Sequence, residues 1–156
     1  MSVRLSVRSA TLALTAGALA VTGAVVVGAP ASAGDNRTTV LRTVLNGANE
    51  APAPGDPDGA GRAKVRVKAS TGQICISATV TGIALPAVGA HIHEKNPGTN
   101  TGPVVVNFTP PGSDGVMDQC VLAPTVVDGL VEDPSEYYVN VHTTEFRGGA
   151  IRGDLG

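Results

Sequence analysis

The stretch GRAKVRVKASTGQICISATVTG at residues 61–82 decides the fold class. Over residues 62–68, cationic side chains alternate with apolar ones, and over residues 74–80 apolar side chains again recur at every second position. A period of two is typical of strands that are buried on one face only. The Ser-Thr-Gly at 70–72 predicts a short connection between the two segments. The stretch therefore predicts a β-hairpin whose charged face is exposed to water.

The rest of the chain repeats this pattern. Six further strands are predicted at residues 38–46, 88–93, 103–108, 116–122, 137–143 and 150–155. Turn signals rich in glycine and proline separate them, and a turn of helix at 123–130 is the most that the pattern offers for helical structure. About eight short strands of this kind predict an all-β fold, an antiparallel Greek-key sandwich or barrel.

The first 33 residues have the pattern of a secretory signal peptide. Arg4 and Arg8 precede an apolar run at 10–27, and Ala-Pro-Ala-Ser-Ala follows at 29–33. Small residues at these positions predict cleavage after Ala33 and export of the mature protein. The alternative is a membrane anchor, because the run is about long enough to span a bilayer. The cleavage site favours secretion, with no stable membrane anchor after processing.

The mature chain is expected to be one domain at 38–156, preceded by a loose N-terminus at 34–37. Residues 1–33 hold two of the 11 basic residues and no acidic one, so nine basic residues face 13 acidic ones in the remainder, a net charge of −4. No basic patch stands out, and we expect no nucleic-acid partner. An extracellular or cell-wall partner is expected, and the sequence does not identify it.

Two cysteines, Cys75 and Cys120, are the only ones in the chain. In an oxidising compartment an isolated pair is expected to form one disulfide. The alternative is two buried free thiols. A thiol-redox site is disfavoured because there is no Cys-x-x-Cys motif.

The three histidines all fall in predicted strands. In GAHIHEKNP at 89–97, His91 and His93 flank Ile92, so both point away from the core if Ile92 points into it. In EYYVNVHTTEF at 136–146, His142 belongs to the polar register, together with Tyr138 and Asn140. We expect all three on the outer, polar side of their strands, converging if the two strands are neighbours.

Three imidazoles that converge can hold one metal ion. His91, His93 and His142 with a water would form an open zinc site, and imidazole also suits copper. The alternative is a set of polar or hydrogen-bonding side chains on a wet strand face. No nucleophile and base form a convincing catalytic set, so a non-enzymatic role is expected. Arg152 lies in RGGAIRGDLG at 147–156, where it could attract an anion or pair at the surface with Asp154 or Glu145.

In its motifs the chain resembles the CHRD (chordin-type) domain family. The matching segments are LNGANEAPAP (45–54), GAGRAKV (59–65), GAHIHEKNPGTNTGPVVV (89–106) and YYVNVHTTEFRGGAIRGDL (137–155). The resemblance covers roughly residues 38–156. It implies a secreted, bacterial-type all-β domain and no particular reaction. Together with the signal peptide and the lack of a catalytic set, it favours a binding or structural role outside the cell.

A more distant resemblance is to the copper–zinc superoxide dismutase β-barrel. By that resemblance the fold would be superoxide-dismutase-like, with an immunoglobulin-like sandwich as the alternative. The resemblance implies copper-type ligands at His91, His93 and His142 and an anion guide at Arg152. With three histidines in the chain, a full dinuclear centre is excluded, and a mononuclear copper redox enzyme is the alternative function. Fold analogy does not carry function with it.

Overall fold

Eight antiparallel strands form the part of the chain that the structure describes, as the period-two pattern predicts. The computed structural model describes residues 36–156, and the predicted signal peptide lies outside the described residues. The strands are β1 (Thr39–Asn46), β2 (Ala60–Lys68), β3 (Gln73–Thr81), β4 (Gly89–Glu94), β5 (Val104–Phe108), β6 (Val116–Leu122), β7 (Tyr137–His142) and β8 (Ile151–Asp154). Each strand begins and ends within two residues of its predicted bounds, and the predicted all-β class is confirmed.

Helical structure in residues 36–156 is confined to short segments. Helix α1 spans Val127–Glu132, and one-turn 3-10 helices span Gly47–Asn49, Ala69–Thr71 and Pro134–Glu136. The helical turn predicted at 123–130 therefore lies later in the chain, after Pro124, whose missing N–H and ring are poorly tolerated inside a helix. Within residues 36–156 no helix is both long and apolar enough to cross a membrane.

The strands form one sheet in the order β5-β4-β7-β8-β1-β2-β3-β6. The two end strands of this sheet come close together, so the barrel is nearly closed. Gln119 of β6 makes the link: its Oε1 accepts from the main-chain N–H of Thr109 at 2.9 Å, and its Nε2 donates to the carbonyl of Thr109 at 2.7 Å. Because Thr109 directly follows β5, the side-chain amide of Gln119 links β5 to β6 in place of a ladder of main-chain hydrogen bonds.

The inner faces of the strands form the hydrophobic core. The alternating apolar residues of the hairpin at 61–82 are buried, as predicted. Fully buried side chains come from β4, β7 and β8 and also from β1, β2 and β3, and helix α1 adds Leu130 to the core. Burial of each such side chain stabilises the fold by about 1.5–3 kcal/mol.

The predicted disulfide is present. Cys75 of β3 and Cys120 of β6 lie directly opposite each other, and their sulfur atoms are 2.05 Å apart. Both side chains are on the outer face of the sheet, because Ile74 and Ile76 on either side of Cys75 point into the core. The bridge closes a chain segment with a sequence separation of 45 residues and so ties β6 to β3.

Candidate metal centre

Two neighbouring strands position the three histidines. In the antiparallel register of β4 and β7, Gly89 faces His142 and His91 faces Asn140. Ile92 is fully buried in the core, so the histidines on either side of it point to the opposite face. Residues paired directly across antiparallel strands share a face of the sheet. The structure therefore brings all three histidines to one face, at the edge where β4 meets β7.

The three imidazoles are in contact with one another. Nδ1 of His91 lies 3.0 Å from Nε2 of His142, and the ring centroids of His91 and His93 are 5.6 Å apart. One nitrogen of each ring lies within 4.8 Å of the others. These rings are half-buried, so the cluster is sheltered from water but reachable from outside.

Main-chain carbonyls determine the tautomers of two rings. Nδ1 of His93 lies 2.9 Å from the carbonyl oxygen of Gly102, and Nδ1 of His142 lies 3.0 Å from that of Arg147. Since a carbonyl can only accept, each Nδ1 carries the proton and each Nε2 keeps a lone pair. Nε2 of His142 can then accept from Nδ1 of His91. Nε2 of His93 is buried and has no hydrogen-bond partner among the described residues.

The surroundings of the rings favour their neutral forms. Burial lowers the pKa of His91 to about 4, with further lowering from His142 and His93. Burial also lowers the pKa of His93 and that of His142, although hydrogen bonds to carbonyls act in the opposite direction. Neutral imidazole is the form that binds metals. At neutral pH the cluster therefore presents lone pairs.

The absence of a side chain at residue 89 makes room for two of the rings. A Cβ on Gly89 would lie 3.1 Å from Cε1 of His91 and 3.3 Å from Cδ2 of His142. Both distances are shorter than ordinary van der Waals contact. The first residue of GAHIHE thus helps to position the histidines.

The histidine face is a covered polar layer, and the alternative of a wet strand face is wrong on this point. Asn140 and Arg152, which face each other across β7 and β8, are each 2% exposed. The segment at 95–103 covers the layer: Arg152 donates to the carbonyl of Asn100, and His93 donates to that of Gly102. Polar residues on a strand face need not be solvated when a loop supplies their hydrogen-bond partners.

A stack of three side chains fills the middle of this layer. The ring of His93 lies parallel to that of Tyr138, with an interplanar angle of 6° and centroids 4.7 Å apart. Cζ of Arg152 lies 3.5 Å from the centroid of the same tyrosine ring. The guanidinium and the imidazole lie on opposite sides of the ring, because β7 lies between β4 and β8. Cation–π attraction and stacking thus connect Arg152 to a histidine of the cluster.

Arg152 is not the surface residue that was expected. Its Nη2 lies 2.9 Å from Oδ1 of Asp154, so the pairing with Asp154 is present although the guanidinium is buried. Burial would raise the pKa of Asp154, but the bonds from Lys95 and Arg152 outweigh it and lower that pKa. Each nitrogen of its guanidinium donates to a partner within the protein. The anion-binding role of Arg152 stays a prediction.

Glu50 and Gly149 form a contact that sequence reasoning missed. Glu50 is 8% exposed, its Oε1 has no hydrogen-bond partner among the described residues, and burial raises its pKa to about 7 although Arg152 acts to lower it. A Cβ on Gly149 would lie 2.2 Å from that oxygen, and the φ of Gly149 is +141°. The available signal was the Asn-Glu of LNGANE together with the Gly-Gly of RGGAIRGDL.

These observations define an all-β module with one disulfide, a covered polar face and a cluster of three histidines. Comparison with known protein families gives its class: the CHRD domain matches residues 41–155, and the chain therefore belongs to the CHRD family. CHRD domains are extracellular, and the Cys75–Cys120 disulfide agrees with an oxidising compartment. No curated protein and no solved structure gives a significant match to the chain.

Proposed function

We propose that this CHRD protein acts outside the cell as a binding module and holds one zinc or copper ion through His91, His93 and His142. The observation that carries the proposal is the set of three half-buried histidines that each offer one nitrogen, with these nitrogens within 4.8 Å of one another. A secretory signal at residues 1–33, cleaved after Ala33, is part of the same proposal.

The hydrogen bonds of the rings support this ligand set. In metal sites, a ligating histidine usually donates its other N–H to a carbonyl or carboxylate, which orients the ring. His93 and His142 make such bonds with their Nδ1 atoms. Both leave Nε2 as the ligand atom, and that of His93 has no other partner among the described residues.

The distances require a small adjustment of the side chains. Metal–nitrogen bonds of about 2.0–2.1 Å place nitrogens about 3.3 Å apart around a tetrahedral ion. The distance from His91 to His142 is already 3.0 Å, whereas the widest separation in the set is 4.8 Å. Rotation of His93 toward the pair would complete the set. An ion there would replace the hydrogen bond between His91 and His142.

The test is a calorimetric titration of the metal-free protein with Zn(II) and, separately, with Cu(II). We expect one ion per chain. The variant His91→Ala/His93→Ala should lower the affinity at least 100-fold, whereas Asp56→Asn/Asp58→Asn, which removes two carboxylates of an exposed turn, should leave it unchanged. For Cu(II), electron paramagnetic resonance should show coupling to ligand nitrogens. Equal, weak binding by all three proteins would refute the proposal.

Nothing in the geometry favours the redox enzyme as a second function. Dismutase-like chemistry would use a positive side chain to attract the anion. Arg152 is the candidate for this role, and it is buried against Tyr138 and paired with Asp154. We therefore keep metal binding without catalysis as the proposed function.

A further inference from the structure

The opposite half of the barrel carries a basic outer face that is separate from the histidines. Five cationic side chains of β1 and β2 point outward there: Arg42, Arg62, Lys64, Arg66 and Lys68. They are five of the nine basic residues that follow residue 33. The expectation that no basic patch stands out is wrong for this face, because the surplus of acidic residues lies elsewhere in the chain.

Acidic residues do not neutralise this face. Among residues 36–156, none of the five cations forms an ion pair; the ion pairs there involve Lys95 and Arg152. The acidic side chain on this face is Asp118 of β6, which accepts from Ser77 at 3.2 Å. Arg66 reaches the same hydroxyl at 3.3 Å, so Asp118 is linked to one cation only indirectly.

Like charges lie directly opposite each other in the sheet. Arg42 of β1 pairs with Lys64 of β2 in the antiparallel register. Such a pair destabilises a sheet rather than supporting it. A protein with a net negative charge thus concentrates positive charge where it costs stability, and an anion bound on this face would offset that cost.

The face has the shape and spacing of a binding groove. An open cavity of about 490 Å³ runs across it, lined by residues of β1, β2, β3 and β6 that include Arg42, Arg62 and Lys64. Successive cations on β2 are two residues apart, about 7 Å by the rise of a strand, so the row from 62 to 68 extends about 20 Å. A row of this kind matches charges that recur along an extended polymer.

We propose that this face binds an extended phosphate polymer. Three of the five cations are arginines, whose planar forks match phosphate oxygens, and the hydroxyls of Ser77 and Thr79 lie in the same groove. Among the described residues, no aromatic side chain lines the groove. Sugar rings and nucleic-acid bases are usually held by stacking on aromatic rings, so the face fits the phosphate chain itself.

The test measures binding of end-labelled, long-chain inorganic polyphosphate to the metal-free full chain by fluorescence anisotropy. Engagement of five cations predicts a slope of log affinity against log salt of about −3.5, by the single-strand value per phosphate contact. Arg62→Gln should lower affinity several-fold. Arg147→Gln removes one exposed cation from a different surface and should change affinity less than twofold.

A second pair of variants separates this site from the histidine cluster and from folding defects. Arg42→Gln/Lys64→Gln removes the opposed cations, so it should lower affinity at least tenfold without lowering the melting temperature. His91→Ala/His93→Ala should bind polyphosphate as the parent does, whatever the outcome for metals. Equal losses from Arg62→Gln and Arg147→Gln, or tighter binding of a sulfated glycan or of polyglutamate, would overturn the proposal.

Discussion

Replacing Glu50 with glutamine should change how the stability of the protein depends on pH. Burial raises the pKa of Glu50 to about 7, against an ordinary value of 4.5. The folded state therefore binds a proton more tightly than the unfolded state does. The contribution of Glu50 to stability is fully present below about pH 4.5 and is lost as the pH rises toward 7.

The size of this effect follows from the shift. A pKa change of about 2.5 units corresponds to at most about 3.4 kcal/mol, and relaxation of the fold around the ionised carboxylate reduces it to about 2 kcal/mol. The histidines act in the opposite direction: their lowered pKa values destabilise the fold as the pH falls below the unfolded value of about 6.5. Only the difference between parent and variant isolates Glu50.

The assay is urea denaturation of the parent and of Glu50→Gln, with a chelator present, at intervals from pH 4.5 to 8. We expect the variant to gain about 2 kcal/mol relative to the parent across this range, because glutamine carries no charge to desolvate. Asp56→Asn, which alters an exposed turn, serves as the control and should show no such trend. A constant difference between parent and Glu50→Gln at every pH would show that Glu50 ionises normally in the fold.

Three further predictions concern the disulfide and two glycines. Cys75→Ser/Cys120→Ser should lower the free energy of unfolding by about 3–4 kcal/mol in urea denaturation, as a closed loop of this length predicts, and a loss below about 1 kcal/mol would contradict this. Gly149→Ala should cost at least about 2 kcal/mol through its positive φ and its overlap with Glu50, whereas the control Gly148→Ala, which meets nothing within 4 Å, should cost much less in thermal melts. Gly89→Ala should crowd His91 and His142 and so weaken metal binding about tenfold in calorimetry, because lost ligand orientation typically lowers metal affinity by this amount. An unchanged affinity would show that the two rings adapt.

Alternation in the sequence predicted much of the fold, because a strand with one buried face has a side-chain period of two. It also predicted that Ile92 points to the core and that the histidines lie on the opposite face. Alternation separates two faces but does not reveal whether a polar face is covered. That depends on the segment at 95–103, whose carbonyls accept from His93 and Arg152. The burial of Arg152 was missed for this reason.

Strand order was the second quantity that local patterns could not supply. His142 meets His91 only because β7 pairs with β4, which are separated by two strands in the chain. The opposition of Arg42 and Lys64 likewise depends on the register of β1 against β2. Contacts between distant segments, such as Glu50 with Gly149, depend on the pairing of β1 with β8, and no periodicity records them.

A substitution at His93 distinguishes a metal ligand from a structural side chain. The buried Nε2 of His93 lacks a partner among the described residues, and an unsatisfied buried group costs about 1–3 kcal/mol. Phenylalanine would keep the stacking on Tyr138 and remove that atom, at the cost of the hydrogen bond to Gly102. These opposing changes should leave His93→Phe within about 1 kcal/mol of the parent when a chelator is present.

Added metal should stabilise the parent more than it stabilises His93→Phe. An ion at 100 times its dissociation constant stabilises the parent by about 2.7 kcal/mol. His93→Phe should lose most of that gain, because two nitrogens remain where three were available. Thermal melts with chelator and with Zn(II) measure both quantities on the same samples. If His93→Phe is strongly destabilised in chelator and metal stabilises neither protein, His93 supports the fold through Gly102 and Tyr138, and the ligand assignment is wrong.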